Sequence, residues 1–378
     1  MQALALGRIP ILGRRGARPE LLYGCVKPTT TSTLDNFRIE GGTHDVTYSR
    51  VRFTGDVTGV GSHSTTGILV SSSYPGDVYN ITFDRCVFET DDYEGGSSNA
   101  FHAILTQNVV HHIVFDHCWF EPASRICFEF NGRGGWWHDV LLDHCTFEAS
   151  CGQQFSCDMS PGDYTPTSPY GVNVDGVVRG VEGLRITNCL FEGTGATVAG
   201  FEPGSYKMGL EFGCVYPYAS DESIGRSVFL NNKVGRCLSA WLNFSYKAKG
   251  QRYMTFQNNL FDYAYNPHGS AASNDAPWSS GANLNYCSFI GNKWVLGTAN
   301  NQPWDFVASG SPAGGHNTFV DEHWTKPSGT IGGACAMPFT DSTYTRCRFE
   351  LPKAVTFPES ATGTDCYFAN GSSGGSFS

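Results

Sequence analysis

The chain has no run approaching the ~18 apolar residues that a membrane-crossing helix requires, which excludes a helical span. Charge is scarce: Asp, Glu, Lys and Arg make up 16% of the 378 residues, and the formal net charge is −10. Residues 1–20 set Arg8, Arg14, Arg15 and Arg18 against Glu20, a local +3, so the remainder carries −13. So acidic a chain repels a phosphate backbone, which argues against nucleic acid as a partner. No C-x-x-C pair exists, and no metal or other cofactor is expected. No heptad pattern announces a trimerising coiled coil. The N-terminus makes a poor signal peptide: its apolar stretches are cut by Arg8 and Arg14-Arg15, and the positive charge follows the apolar part. Export by another route, such as release within a virus particle, is the expectation.

What is abundant is glycine (45), phenylalanine (26) and tyrosine (17), a composition suited to an all-β chain with many tight turns. Internal repeats organise it. NITFDRCVFE (80–89), HIVFDHCWFE (112–121), DVLLDHCTFE (139–148) and GLRITNCLFE (183–192) share one frame. DVTYSRVRFT (45–54) and YMTFQNNLFD (253–262) fit it with Val51 and Asn259 at the cysteine position. That position runs Val51, Cys86, Cys118, Cys145, Cys189, Asn232, Asn259, Asn292, Glu322, Cys347, Cys366, and most of the spacings lie near thirty. Within each unit the alternation of residues such as Ile81 and Phe83 has the period of a strand with one buried face. A second strand per unit is visible in RICFEFN (125–131), around Leu210-Glu211-Phe212 and around Leu242-Asn243-Phe244. No unit has apolar residues at helical spacing, which excludes helical repeat arrays.

These units resemble the pectate-lyase-like superfamily of right-handed parallel β-helices, over roughly residues 34–370. The resemblance implies a single-stranded all-β solenoid of about ten rungs, a rod on the order of 50 Å long at ~4.8 Å per rung. It does not choose an activity, because the fold hosts several. The Asn-Thr-Asp, Asp-Asp and Gly-His-Gly set of polygalacturonases is missing, as is the R-x-P-x-x-R of calcium-dependent pectate lyases. A β-eliminating lyase would need a base and a cation; Lys207, Tyr246, Lys247 and Arg252 are available, but nothing aligns them.

Fourteen cysteines would permit a disulfide framework, but four of them share one column, where they are expected to stack inward as reduced core thiols. The asparagines that continue the column are expected to exchange amide hydrogen bonds along the rod, like the Asn ladders of the superfamily.

Two spacings, 44 and 43, exceed the rest, which places insertions at about 149–180 and 193–207. Beside them a polar row is expected: Glu129, Asp158, Glu211 and Asn243 on four consecutive rungs. Carboxylates one rung apart would match retaining glycosidase geometry, and two rungs apart would approach the inverting range. Outward strand positions are polar in any case, so both readings of the row stand. Trp136, Trp137, Tyr164, Tyr170, Tyr206, Trp241 and Tyr246, with Lys207 and Asn243, are the candidate sugar contacts; the aromatics also suit packing under loops. The histidines, including the column mates His117 and His144, read as turn residues.

Residues 1–33 are expected to form an arm and cap, with Leu21, Leu22 and Tyr23 plugging the end of the solenoid and residues 1–20 either docking to a larger assembly or frayed. Residues 371–378 are expected as a flexible Gly/Ser tail. Together these features look like a phage tail protein, a tailspike or β-helical minor tail protein. Such proteins bind host-surface polysaccharide and some cleave it; many are trimers, so a homo-oligomer carried in the virion is expected. A free polysaccharide lyase or glycoside hydrolase and a purely structural virion component are the alternatives.

Overall fold

A computed structural model of the chain describes residues 22–35, 37–54, 64–65, 69–71, 76–89, 98–105, 109–122, 126–132, 136–148, 153–157, 172–174, 177–179, 181–193, 208–212, 227–236, 240–244, 251–262, 278–279, 284–296, 305–306, 314–331 and 335–378. The described residues contain strands and no helix. Three long sheets run along a parallel β-helix, the third from Ser64–Thr65 to Asp305–Phe306 and the other two on to its C-terminal end. The first has 12 strands, from Ser32–Asp35 to Tyr367–Phe368, the second 13 and the third 8, and all their strand pairs are parallel. Twelve stacked strands in the first sheet slightly exceed the ten rungs expected.

Stacking makes the core. Phe53, Phe88, Phe120, Phe147 and Phe191 are in register on successive first-sheet strands, fully buried, with ring centroids 4.4–5.0 Å apart. Burying each such ring is worth about 1.5–3 kcal/mol. Facing them, Phe83, Phe115, Leu142 and Ile186 stack on the second sheet.

The repeat column sits at the bend between the second and first sheets, and each rung turns there in the same way. The residue before the column adopts the left-handed region, with φ between 50° and 65° at Arg50, Arg85, His117, His144, Asn188, Asn231, Asn258, Gly291, Asp321, Arg346 and Asp365. The column residue then turns inward, and where it is cysteine or asparagine it donates to a carbonyl of a preceding rung. Cys118 gives its thiol to Phe83 O (3.3 Å), Cys145 to Phe115 O (3.4 Å), and Asn259 its amide to Phe229 O (2.8 Å). Cysteine and asparagine thus share one task, and asparagine adds an acceptor. Asn232 Oδ1 receives the main-chain N–H of Cys189, Asn259 Oδ1 that of Asn232, and Asn292 Oδ1 that of Asn259. Glu322 ends the run, taking the main-chain and side-chain N–H groups of Asn292 on Oε1.

The ten cysteines whose side chains are described are reduced thiols, and nine of them are buried. Cys366 is the exception: it ends the column, and the thiol of Cys347 hydrogen-bonds to it and lowers its pKa. Under native conditions an aromatic disulfide reagent should label one described cysteine quickly, and Cys366→Ser should remove that fast phase. Rapid labelling of Cys118 or Cys145 would contradict the stacked arrangement.

The ends differ from expectation. Leu22 is 75% exposed and plugs nothing. Residues 22–31 instead form a strap along the rod: Gly24 N–H reaches Asn188 O, Cys25 N–H reaches Thr146 Oγ1, Lys27 pairs with Glu121, and Thr31 N–H reaches Arg50 O. Phe37, against Tyr48 and Phe53, covers the first rung. Residues 1–21 lie outside the described residues. Residues 371–378 are not a loose tail but a last turn, with Ser372–Ser373 paired to Val355–Thr356 and Ser376–Phe377 to Thr362–Gly363. Gly374 (φ 70°) is required there, because a Cβ would lie 2.0 Å from Phe357 O.

Candidate functional site

The third sheet carries the polar row, and register defines it. His102 aligns with Glu129, Glu129 with Ser156, Ser156 with Glu211, Glu211 with Asn243, Asn243 with Trp278, and Trp278 with Asp305. Seven consecutive strands therefore bring seven polar or indole residues to one azimuth. Neighbours are spaced by the ~4.8 Å of a sheet, so Glu129 and Glu211 stand roughly 10 Å apart at the backbone.

Three expected members, Glu129, Glu211 and Asn243, occupy this row. The fourth does not. Ser156 fills the position expected for Asp158, which lies past the strand Gln153–Cys157 and outside the described residues. Glu129 and Asn243 each lie eleven residues after their column residues Cys118 and Asn232, and the same count from Cys145 gives Ser156; Asp158 lies two residues beyond it. With serine between them, Glu129 and Glu211 are two strands apart, and no pair of carboxylates occupies adjacent strands from Glu129 to Asn243. The retaining spacing is therefore not formed there by the row.

The aromatic candidates divide. Trp241 is on the third sheet, two residues before Asn243 on the strand Ala240–Phe244. Trp136 and Trp137 belong to the second sheet, in register with Val109 and Val110, and are not brought to the row. Tyr164, Tyr170, Tyr206, Lys207 and Tyr246 lie outside the described residues. Of the first insertion, Gln153–Cys157 is the third-sheet strand of its rung, and Val172–Val174 forms an antiparallel hairpin with Val177–Arg179. His102, Ser156, Trp278 and Asp305 were not anticipated. Asp305 had a signal: Glu129-Phe130, Glu211-Phe212, Asn243-Phe244 and Asp305-Phe306 are one recurring dipeptide, a polar residue followed by phenylalanine.

On the outer side of the ladder bend, the rings of His117 and His144 stack at 4.8 Å, and their Nδ1 atoms meet Asp116 (2.6 Å) and Asp143 (3.1 Å). Burial pushes the Asp143 carboxyl up, but hydrogen bonds from His144, Thr187 and Asn188 outweigh it and hold the pKa at about 2. These groups satisfy one another, as turn residues do. Among the described residues no three His, Cys, Asp or Glu side chains converge as metal ligands would.

No known protein family matches the chain, and no curated protein does. Among solved structures it is similar to the Streptococcus pneumoniae surface protein and adhesin PfbA, with a TM-score of 0.51 at 11% identity over 92% of this chain and 87% of that one. A second structure of PfbA gives 0.48 at 12% identity, over 92% and 83%. The Agl-KA catalytic domain gives 0.35 at 14%, over 90% and 62%. The first likeness shows the parallel β-helix fold and nothing further.

Proposed function

We propose that the third-sheet face binds a polysaccharide, and that the chain is a phage tail-associated protein, a tailspike or minor tail protein that recognises a host surface. The observation that carries this reading is the register row from His102 to Asp305, which sets polar residues and one tryptophan at equivalent positions on seven strands along the rod. A flat indole offers a sugar large contact area with few rotamers to fix. Ten reduced thiols suit folding in a reducing cytosol before release. The description of PfbA as a surface adhesin agrees with a binding role. Trimeric assembly, docking through residues 1–20 and a place in the virion belong to the same proposal.

A second reading, cleavage, is favoured by the separation of Glu129 and Glu211. Two strands of spacing approach the about 6.5–9.5 Å of inverting glycosidases, with Ser156 at the register position between them. Reducing-end and unsaturated-uronate assays on neutral and acidic glycans, run beside affinity electrophoresis, separate the readings. Glu129→Gln and Glu211→Gln are each expected to abolish any turnover while leaving electrophoretic binding within about tenfold of the parent. Binding without turnover makes the chain an adhesin; absence of both refutes the polysaccharide reading and leaves a structural role.

A further inference from the structure

The bend between the third and second sheets carries a feature that the row does not use. Tyr253, Tyr286 and His316 occupy equivalent positions on three consecutive rungs, each directly before a buried residue: Met254, Cys287 and Asn317. Their rings stack at 5.6 and 5.0 Å. All three backbones are in the left-handed region, with φ of 58°, 54° and 57°. That conformation is costly for a bulky side chain and is most often given to Gly, Asn, Asp or His, so the two tyrosines are the unusual members. The same position on other rungs is held by Asp45, Asn80, His112, Asp139, Gly183 and Asp341, so two tyrosines in succession depart from the rest.

The strain buys no buried contact for the ring tips. Tyr286 is 45% exposed, and among the described residues neither phenol hydroxyl nor the imidazole of His316 has a hydrogen-bond partner. Farther up the same bend, the rings of His44, Tyr79, His111 and His138 also stack, but there the Nδ1 atoms of His44 and His138 are tied to Asp45 and Asp139. Stacked polar groups that reach solvent at the rung pitch, without partners among the described residues, are available to a ligand that repeats at the same pitch.

We propose that Tyr253, Tyr286 and His316 form a second binding edge for a neutral, linear polysaccharide lying along the rod axis. Because the rings face one another, they present edges to solvent and not faces. Recognition is therefore by hydrogen bonds from two hydroxyls and a ring nitrogen at the rung pitch, about the length of one extended pyranose unit. A net charge of −10 disfavours a polyanionic glycan. The inference shares its ligand class with the proposed function and rests on that reading.

The test is affinity electrophoresis through gels containing soluble β-glucan, mannan or galactan. Three variants are compared with the parent: Tyr253→Asn/Tyr286→Asn, Tyr286→Phe, and Asn243→Ala from the third-sheet row. The double variant should bind about tenfold more weakly, as loss of two net hydrogen bonds implies, with a Tm equal to or above the parent because asparagine tolerates the left-handed region. Tyr286→Phe keeps the stack, loses one hydroxyl, and should bind severalfold more weakly even if the double variant folds poorly. Parent-like binding by both tyrosine variants, with Asn243→Ala impaired, overturns this edge and leaves the row standing. A large fall in Tm for the double variant with unchanged binding by Tyr286→Phe overturns it too, assigning the rings to the fold. Failure of the parent to bind any of the three glycans overturns the edge as well as the neutral-glycan form of the reading.

Discussion

Asn259→Leu should lower the free energy of unfolding by ~4 kcal/mol, and Asn259→Cys by about half as much. Asn259 sits in the middle of the ladder and makes four hydrogen bonds through one side-chain amide. Its Oδ1 accepts from the main-chain N–H of Asn232 (2.8 Å) and from Asn232 Nδ2 (3.1 Å). Its Nδ2 donates to Phe229 O (2.8 Å) and Asn292 Oδ1 (2.9 Å). Leucine matches the volume but strands those partners in a site that is 2% exposed, and each unsatisfied buried group costs about 1–3 kcal/mol. Cysteine keeps the donor to Phe229 O, as Cys145 keeps the equivalent one to Phe115 O, and loses the acceptor. Urea titration followed by far-ultraviolet circular dichroism measures the difference. A solenoid is coupled rung to neighbouring rung, so the leucine variant should also unfold in two steps, broken near residue 259. Stability within 1 kcal/mol of the parent for Asn259→Leu would mean that the ladder is ornamental.

How far sequence carries depends on whether a letter repeats. Cys86, Cys118, Cys145 and Cys189, each followed two residues later by phenylalanine, repeat without variation, so the column and the first-sheet core were legible. The ladder followed from the asparagines that replace them. The left-handed residues before the column were not legible, because Arg85, His117 and Arg346 stand there beside the asparagines that would advertise such a turn. A second ladder escaped for the same reason. Ser227 Oγ receives Leu184 N–H, Asn317 Oδ1 receives Cys287 N–H, and Ser342 Oγ receives Asn317 N–H, at positions where Met254 and Ala361 interrupt the pattern.

The polar row was half legible. Glu129 and Asn243 were placed by their distance of eleven residues from the column, and Glu211 by its Leu-Glu-Phe context, a local property of a strand with one buried face. Ser156 was missed because Asp158, two residues farther on, shares the parity of a strand face, and parity alone does not say where the strand ends. The strand of Glu129 itself defeats simple alternation, since Cys127 and Phe128 are both buried. The strap was out of reach: its contacts, such as Cys25 with Thr146 at a separation of 121 residues, lie in no repeat and depend on the finished rod.

Glu322 shows what a single departure from the repeat is for, and it predicts a pH-dependent stability. An asparagine there would continue the ladder. Glutamate continues it with Oε1 and adds a second acceptor, Oε2, which takes the indole N–H of Trp294 at 2.6 Å. The contrast is Trp324, one rung on and stacked on Trp294. The next column residue there is Cys347, and the Trp324 indole N–H has no partner among the described residues. The cost of this device is a fully buried carboxyl. Burial pushes its pKa up to about 8, against the pull of Trp294 and Asn292. In the unfolded chain it titrates near 4.5, so between the two values the native state holds a proton that the unfolded state has released. Its contribution is therefore fully present below pH ~4.5, falls by up to about 1.4 kcal/mol per unit as pH rises, and levels off above pH ~8. Glu322→Gln isolates it. The amide cannot titrate, but its nitrogen meets the Trp294 N–H donor to donor, a conflict of about 1–3 kcal/mol. The variant should be less stable than the parent at pH 5, and the gap should close or invert by pH 9. Unfolding free energies of both proteins at half-unit steps give the difference curve, from which other titrating groups cancel. A flat difference across that range would show that the buried carboxyl keeps one protonation state in both the folded and unfolded chain.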